Sequence, residues 1–592
     1  MAKLTNERKS QLRKTIAELE GLSVEDKSAL IELLNTHKKY GLVWEDKLED
    51  VEEAMRDHLP LFTEVKERAI LSDSPEAPNH ILIEGDNLEA LTALSYTHEG
   101  KIDVIYIDPP YNTGNKDFIY NDSFVDSEDA YRHSKWLSFM SRRLKLAKRL
   151  LSDKGVIFIS IDDNEQANLK LLCDEILSGG YVETFIWNKT STPPALSYKS
   201  RKTHEFVLCY QKRYNSEKFV GLVNEGGDAP LLNESNKQCT LSFPANLVHT
   251  NLVNGIYLKG ERERVTLLDD VEVLNGIIIT PFRLVGNFRW SQSTLDFEIS
   301  NNCMFIVKSN KFAIRYCREG ERTVAPQNFL IEKHYDTTIN KEDQGVDTNE
   351  KAGKELIAVL GVKKFDFPKP VSLISYLLSF NNNKNSIILD FFAGSGTTLH
   401  ATMQLNAEDG GRRKCILVTN NENNICEEVT YERNKRVING YTTPKGEKVE
   451  GLKNNSLRYY KTKLMSRERT IKNMRALMAV STELVCIKND LYAEQEEFFG
   501  RKLNKDVARY FDDRRQQMLI VYNEQAVESI IEVLREVDVE QRIKIYLFSN
   551  NGYAYNDNFE EVLDKVELCA LPAAIYNAYE HVLPKNKEEE ND

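Results

Sequence analysis

Residues Lys101 to Tyr120 read KIDVIYIDPPYNTGNKDFIY. The run Val104-Ile105-Tyr106-Ile107 is short, apolar and β-branched, the pattern of a buried parallel strand, and it stops at Asp108-Pro109-Pro110-Tyr111. Two prolines lack N–H donors and fix φ, so the backbone stiffens where the strand ends, with a carboxylate before it and an aromatic ring after. Ligands of open α/β sheets sit beyond the carboxyl ends of the strands, so this tetrapeptide is read as a pocket edge. Asp108 and the Pro109 carbonyl can accept both protons of an exocyclic amino group, while Tyr111 offers a face on which a planar base stacks. A flipped adenine fits that arrangement. The bland alternative is a proline-rich turn whose acid caps a neighbour.

Ser386 to Ala401 read SIILDFFAGSGTTLHA. A short apolar strand again ends in an acid, Asp390, and Phe392-Ala393-Gly394-Ser395-Gly396-Thr397 opens a helix. The glycines allow a tight turn and close approach of a ligand to the backbone. No Gly-Lys-Ser/Thr follows, so it is not a Walker loop, and the third glycine of the dinucleotide fingerprint is missing.

Together, a DPPY strand end and a downstream FxGxG resemble the amino-methylating DNA methyltransferases, in the permuted class where the catalytic half precedes the cofactor half. The chain looks most like the modification subunit of type III restriction-modification systems, over about residues 75–215 and 360–465. The flanks ILIEGDNLEAL and VTNNENNICEEVTYERNKRVI share in that likeness. The resemblance implies a doubly wound, Rossmann-like methyltransferase sheet, circularly permuted. Its catalytic residues would be Asp108, Pro109, Pro110 and Tyr111, and S-adenosylmethionine would be the cofactor. Asp390, Phe392, Gly394, Gly396 and Thr397 would contact that cofactor, as would Asp86 and Asn87 beside its adenine ring. For Asp86, the plain alternative is an N-cap. Lys369, in the segment Phe367-Pro368-Lys369-Pro370, would cover the cofactor's methionine end. Many methylases hold the ribose with an acid where Thr419 stands, so Glu422 or an Asn must substitute. The implied reaction is methyl transfer to N6 of an adenine flipped out of double-stranded DNA, without a metal. The implied partners are a second copy and a restriction subunit carrying translocation and nuclease activities. Three other readings stay open: an N4-cytosine methyltransferase, an RNA or protein-glutamine methylase, and an idle DNA-recognition subunit of a defence complex.

The 592 residues leave room for a methylase core plus smaller domains. With 41% hydrophobic and 29% charged residues the chain reads as soluble and globular, and no window reaches a membrane span. The N-terminal MAKLTNERKS lacks an apolar signal core, which points to the cytoplasm. Nine cysteines without a CxxC argue against a zinc site and against a disulfide framework. The net charge of −13 leans against a nucleic-acid partner, although a locally basic surface can sit on an acidic whole.

In chain order, residues 1–75 read as a helical N-terminal region and 76–215 as the catalytic half. Within the latter, Asn112 to Phe124 reads as a loop closing over the base, with Phe118 and Tyr120 available for stacking. The stripe Trp136, Leu137, Met140, Leu144, Ala147, Leu150 and Leu151 predicts an amphipathic helix ending at Gly155. Residues 216–355 break the α/β rhythm into short strands and are assigned to target recognition. Arg283, Arg289, Trp290 and Lys311 are the candidate DNA contacts there. Residues 356–465 form the cofactor half, and 466–592 a small α+β C-terminal domain.

Overall fold

A computed structural model describes residues 15–16 and 42–583, apart from 116, 122, 191, 194–198, 221, 226–227, 319–320, 331–344, 469, 550–554, 572 and 581. Most of the expected N-terminal helices and the acidic C-terminal tail lie outside the described residues.

The short apolar runs pair into one ten-stranded sheet. Its strands are β1 (His58–Glu64), β2 (Asn79–Glu84), β3 (Ile102–Ile107), β4 (Leu151–Ile161), β5 (Tyr181–Asn188), β6 (His204–Gln211), β7 (Phe329–Leu330), β8 (Ile387–Asp390), β9 (Lys414–Thr419) and β10 (Ser456–Ser466). Across the sheet they run β1-β10-β2-β9-β8-β3-β4-β6-β5-β7. From β10 to β4 every neighbour is parallel. β6 runs antiparallel to both β4 and β5, and β1 antiparallel to β10. The strand ending in DPPY and the strand ending in the glycine turn are therefore side by side, Val104 opposite Ile388 and Ile105 opposite Leu389.

Parallel strands need both faces covered, which is why these runs are apolar throughout rather than alternating. Ile105 and Ile107 face one layer, with α1 (Asn87–His98), α2 (Arg132–Leu150) and α3 (Gln166–Ile176); Val104 and Tyr106 face the other. That second layer holds α4 (Asn349–Leu360), α5 (Val371–Ser379), α6 (Thr397–Asp409) and α7 (Glu432–Asn439). All these connections leave the carboxyl ends of β2, β9, β8, β3 and β4 opening on one side.

Four sequence expectations change. Residues 58–64, read as helical, form the edge strand β1; Pro60 suits an edge, and Leu61-Phe62-Thr63 favour extended backbone. A helix does precede it, Asp50–Asp57. α2 buries the expected stripe but stops at Leu150, because Leu151 pairs with Ile102 and starts β4. Gly155 is needed instead for close packing, since a Cβ there would fall 2.8 Å from the Ile102 carbonyl oxygen. α4, assigned in part to the insertion, packs on the core: Val359 joins the second layer, and Leu356 and Leu360 cluster with Val429. Finally, the C-terminal five-stranded sheet of residues 494–571 does not have a wholly separate core. Met518, Ile520, Tyr546 and Phe548 share one apolar cluster with α1 and β1, while Leu519 and Leu547 belong to a local cluster.

The insertion, by contrast, has its own interior. A seven-stranded and a four-stranded sheet enclose Leu241, Phe243, Leu284, Phe305 and Val307. Among the described residues no helix is long and apolar enough to cross a membrane, and no three His, Cys, Asp or Glu side chains are placed to hold a metal ion. All nine cysteines are unpaired thiols.

Candidate active site

The DPPY turn is clamped from behind. Trp136, fully buried on α2, donates its indole N–H to the Pro110 carbonyl at 2.7 Å. Asn112 takes a left-handed φ of 57°, a conformation asparagine tolerates, and its amide donates to the buried Glu165 carboxylate. Glu165 also binds His133 at 2.6 Å and Asn168 at 2.7 Å, so the turn is tied to both α2 and the start of α3.

In front of that turn the Asp108 side chain stays 27% exposed. Its partners are unexpected. Lys369, 8% exposed, places Nζ 2.8 Å from Oδ1 and 2.7 Å from Oδ2. The Tyr111 hydroxyl lies 2.9 Å from Asp108 Oδ1 and 3.0 Å from Oε2 of Glu205, and it accepts from Lys369 at 2.9 Å. Glu205 is held in turn by Lys189 at 2.9 Å. Enclosure pushes the Asp108 carboxyl above the ordinary range, opposed by Lys369. Glu205 is pushed up by burial too, but Lys369 and Lys189 outweigh that and hold it below. Burial alone would lower the Lys369 ammonium, but Asp108 and Glu205 outweigh it and raise it.

The glycine turn is equally built. Gly394 and Gly396 have φ of 48° and 73°, which L side chains rarely adopt, and a Cβ on Gly396 would stand 2.5 Å from Asn434 Nδ2. Asp390 accepts from the Phe392 amide at 3.0 Å and from the Thr398 hydroxyl at 2.5 Å, closing the turn. Burial pushes Asp390 up to about 7. Thr397 donates to the Lys369 carbonyl at 3.2 Å and accepts from the buried Arg433 at 2.7 Å, linking the two motifs. Phe392 is half-buried beside Phe139, ring centroids 5.8 Å apart.

Across the same cleft, Asp86 caps α1 through the Leu88 amide at 2.7 Å, yet its side chain stays 39% exposed. Asn87 donates to the Phe391 carbonyl at 3.0 Å and accepts from Arg143. Glu422 is exposed in the turn after β9, whereas Thr419 is buried.

Residues 102–436, more than half of the chain, match the family model described as DNA methylase. The chain belongs to the DNA methylase family. It is 33% identical over 370 residues to the type III restriction-modification enzyme StyLTI Mod subunit of Salmonella typhimurium, covering 58% of this chain and 52% of that one. Against the EcoPI Mod subunit of Escherichia phage P1 it is 31% identical over 396 residues, 58% of each chain. The chain thus spans little more than half the length of these curated relatives. Among solved structures, a DNA modification methylase from Thermus thermophilus complexed with S-adenosyl-L-methionine covers 60% of this chain and 94% of its own at 14% identity, with a TM-score of 0.28, too loose to argue from.

Several expected residues of this chain sit elsewhere than the sequence suggested. Lys369, expected beside the cofactor, directs its ammonium at Asp108, a partner the sequence did not suggest. Phe118 and Tyr120 are 1% and 7% exposed, packed with Phe139 and bonded to the Lys47 carbonyl, so neither is free to stack on a base. The apolar character that suggested stacking serves the core. Trp290 is half-buried against Tyr316, with Arg318 over its ring, and is not a free wedge. Arg283 and Lys311 are exposed but paired with Asp269 and Glu263, and Arg289 is exposed. Sequence reasoning missed Glu205, Lys189 and Glu165. Glu205 left one signal, an acid inside the apolar run HEFVLCY, where a buried charge must have a partner.

Proposed function

We propose that this DNA methylase transfers a methyl group from S-adenosylmethionine to N6 of an adenine taken out of duplex DNA, as the modification and recognition subunit of a type III restriction-modification system. The observation that carries the reading is the Asp108 carboxylate, proline-stiffened, partly open and one strand away from the glycine turn.

The cleft fits the cofactor's chemistry. Gly394 and Gly396 bare the backbone, Phe392 offers a half-exposed ring, and the Asp86 carboxylate, 39% exposed with Arg143 3.6 Å from Oδ2, keeps a face toward a hydroxyl donor. Asn87, Asp390 and Thr397 act on that cleft by shaping its walls, since their polar atoms are already engaged by protein. Glu422 is left as the exposed acid beyond β9. When bound, S-adenosylmethionine supplies a methyl group on a positively charged sulfur.

A base inside the stack cannot reach this cleft, so it must be extruded, at a cost of a few kcal/mol. Asp108 and the Pro109 carbonyl then accept the two amino protons, and Tyr111 borders the ring. Positive charge grows on the attacking nitrogen, so Asp108 binds the transition state more strongly than the ground state. The Trp136 and Glu165 clamps hold the acceptors in place, so positioning supplies much of the rate. The DPPY half precedes the glycine half in the chain although their strands adjoin, which supports a circular permutation. Likeness to the two Mod subunits supports the type III assignment, with a restriction subunit and a second copy as partners.

The test is nucleoside analysis of duplex DNA incubated with the protein and labelled cofactor. Label in N6-methyladenine is expected; label in N4-methylcytosine, or none, overturns the base assignment.

A further inference from the structure

Asp108 already has its donors. Both oxygens are engaged by Lys369, and Tyr111 approaches Oδ1 as well. An incoming amino group competes with Lys369, which takes a site on each oxygen, while Tyr111 takes a third site of the roughly four that the carboxylate offers to donors. A second destination exists. The same ammonium stands 3.5 Å from Oε2 of Glu205, a carboxylate 6% exposed whose other oxygen is held by Lys189. Lysine carries its charge on a flexible four-carbon stem, so the exchange needs only side-chain rotation.

We propose that Lys369 is a positioning residue that alternates between two carboxylates: it neutralises Asp108 while the pocket holds no base, and moves onto Glu205 when the target amino group takes its place. The inference rests on the reading of Asp108 as the acceptor for that amino group.

Two consequences follow from the charges. Enclosure pushes Asp108 toward protonation and the lysine opposes this, so the ammonium favours the ionised form of the acceptor before the base arrives. The negative charge is then uncovered only beside a nitrogen that is becoming positive. The exchange also selects. A base presenting a carbonyl oxygen in place of the amino group offers no donor to replace the ammonium, and would set an acceptor against a carboxylate. The charged and titratable groups facing this cluster are Lys369 ahead of α5, Tyr111 after β3, Glu205 on β6, Lys189 after β5, Tyr106 on β3, Asp390 at the end of β8 and Asp162 at the end of β4.

The experiment compares Lys369→Met, Glu205→Gln and the double variant with the parent, by initial methylation rates on duplex DNA from pH 6 to 9.5, nucleoside analysis and thermal melting. Lys369→Met should lose roughly 100-fold in kcat at neutral pH, with a rate that climbs with pH more steeply than the parent's, because Asp108 must ionise without its cation. Glu205→Gln, which leaves the lysine nowhere to go, should lower kcat roughly tenfold and raise KM for DNA with the parental pH profile. The double variant should be no worse than Lys369→Met. A parental pH profile in Lys369→Met, parental kinetics in Glu205→Gln, or penalties that multiply in the double variant would overturn the exchange. If Lys369→Met does not fold, the Glu205→Gln kinetics decide. Failure of the adenine reading is visible separately, as absence of N6-methyladenine from the parent reaction.

Discussion

At the residue scale, the proposed function concentrates on one carboxylate. Asp108→Ala should lower methylation by roughly 10³-fold or more while cofactor affinity stays within a few-fold, since the glycine turn is held by Asp390 and Thr398 and not by Asp108. A variant with near-normal turnover in a labelled-methyl assay would contradict the assignment. Asp390 supplies a second test. Its carboxyl rises from 3.8 to about 7 on burial, so the folded chain keeps a proton that the unfolded chain has released. The stability tied to that proton is complete below the unfolded value and is lost as pH rises through about 7. Asp390→Asn removes the loss, so its melting temperature relative to the parent should climb between pH 4 and 7; a constant difference would contradict the shift. How far such residues were legible follows from their range. Asp108, the prolines and the glycines declare themselves because the backbone around them needs unusual residue types. Lys369 was read toward the cofactor, and its bond to Asp108 is a tertiary contact between segments 261 residues apart that no local pattern encodes.

At the scale of the element, the site depends on two turns and what braces them. Gly396 begins α6 in the left-handed region with Asn434 against it, so Gly396→Ala should cost about 1–3 kcal/mol and weaken cofactor binding. Thermal melting and cofactor titration check both, and unchanged melting would refute the strain. Trp136→Phe keeps the apolar bulk of α2 but removes the donor to the Pro110 carbonyl. Its kcat should fall about tenfold or more with KM for cofactor unchanged. The strands of the sheet and the stripe of α2 were readable because burial imposes periodicity. Element ends were less so. β1 follows a charged helical repeat with Pro60 as its one break signal, and β4 begins inside what reads as the end of α2, because pairing with β10 and with Ile102 outweighs local preference.

For the whole molecule, the insertion and the C-terminal region differ in kind. The insertion encloses its own core, whereas the C-terminal region shares the methylase core: Tyr579 is fully buried and donates to the Pro60 carbonyl on β1 at 2.9 Å. A chain ending at residue 493 should therefore be insoluble or melt at least about 10 °C lower, by exposing α1 and β1. Parental melting would show the region to be a mere appendage. The chain was divided near residue 466 because the glycine-loop half and its resemblance end there, which could not show that apolar side chains on both sides meet. A net charge of −13 does not by itself exclude DNA, since affinity follows local charge and not the sum. The most direct measurement is single-molecule sequencing of genomic DNA from cells carrying the parent chain or Asp108→Ala. The account predicts N6-methyladenine on one strand of one short asymmetric motif with the parent, and none with Asp108→Ala. Methylation that persists in the variant, or that falls on cytosine N4, would contradict it.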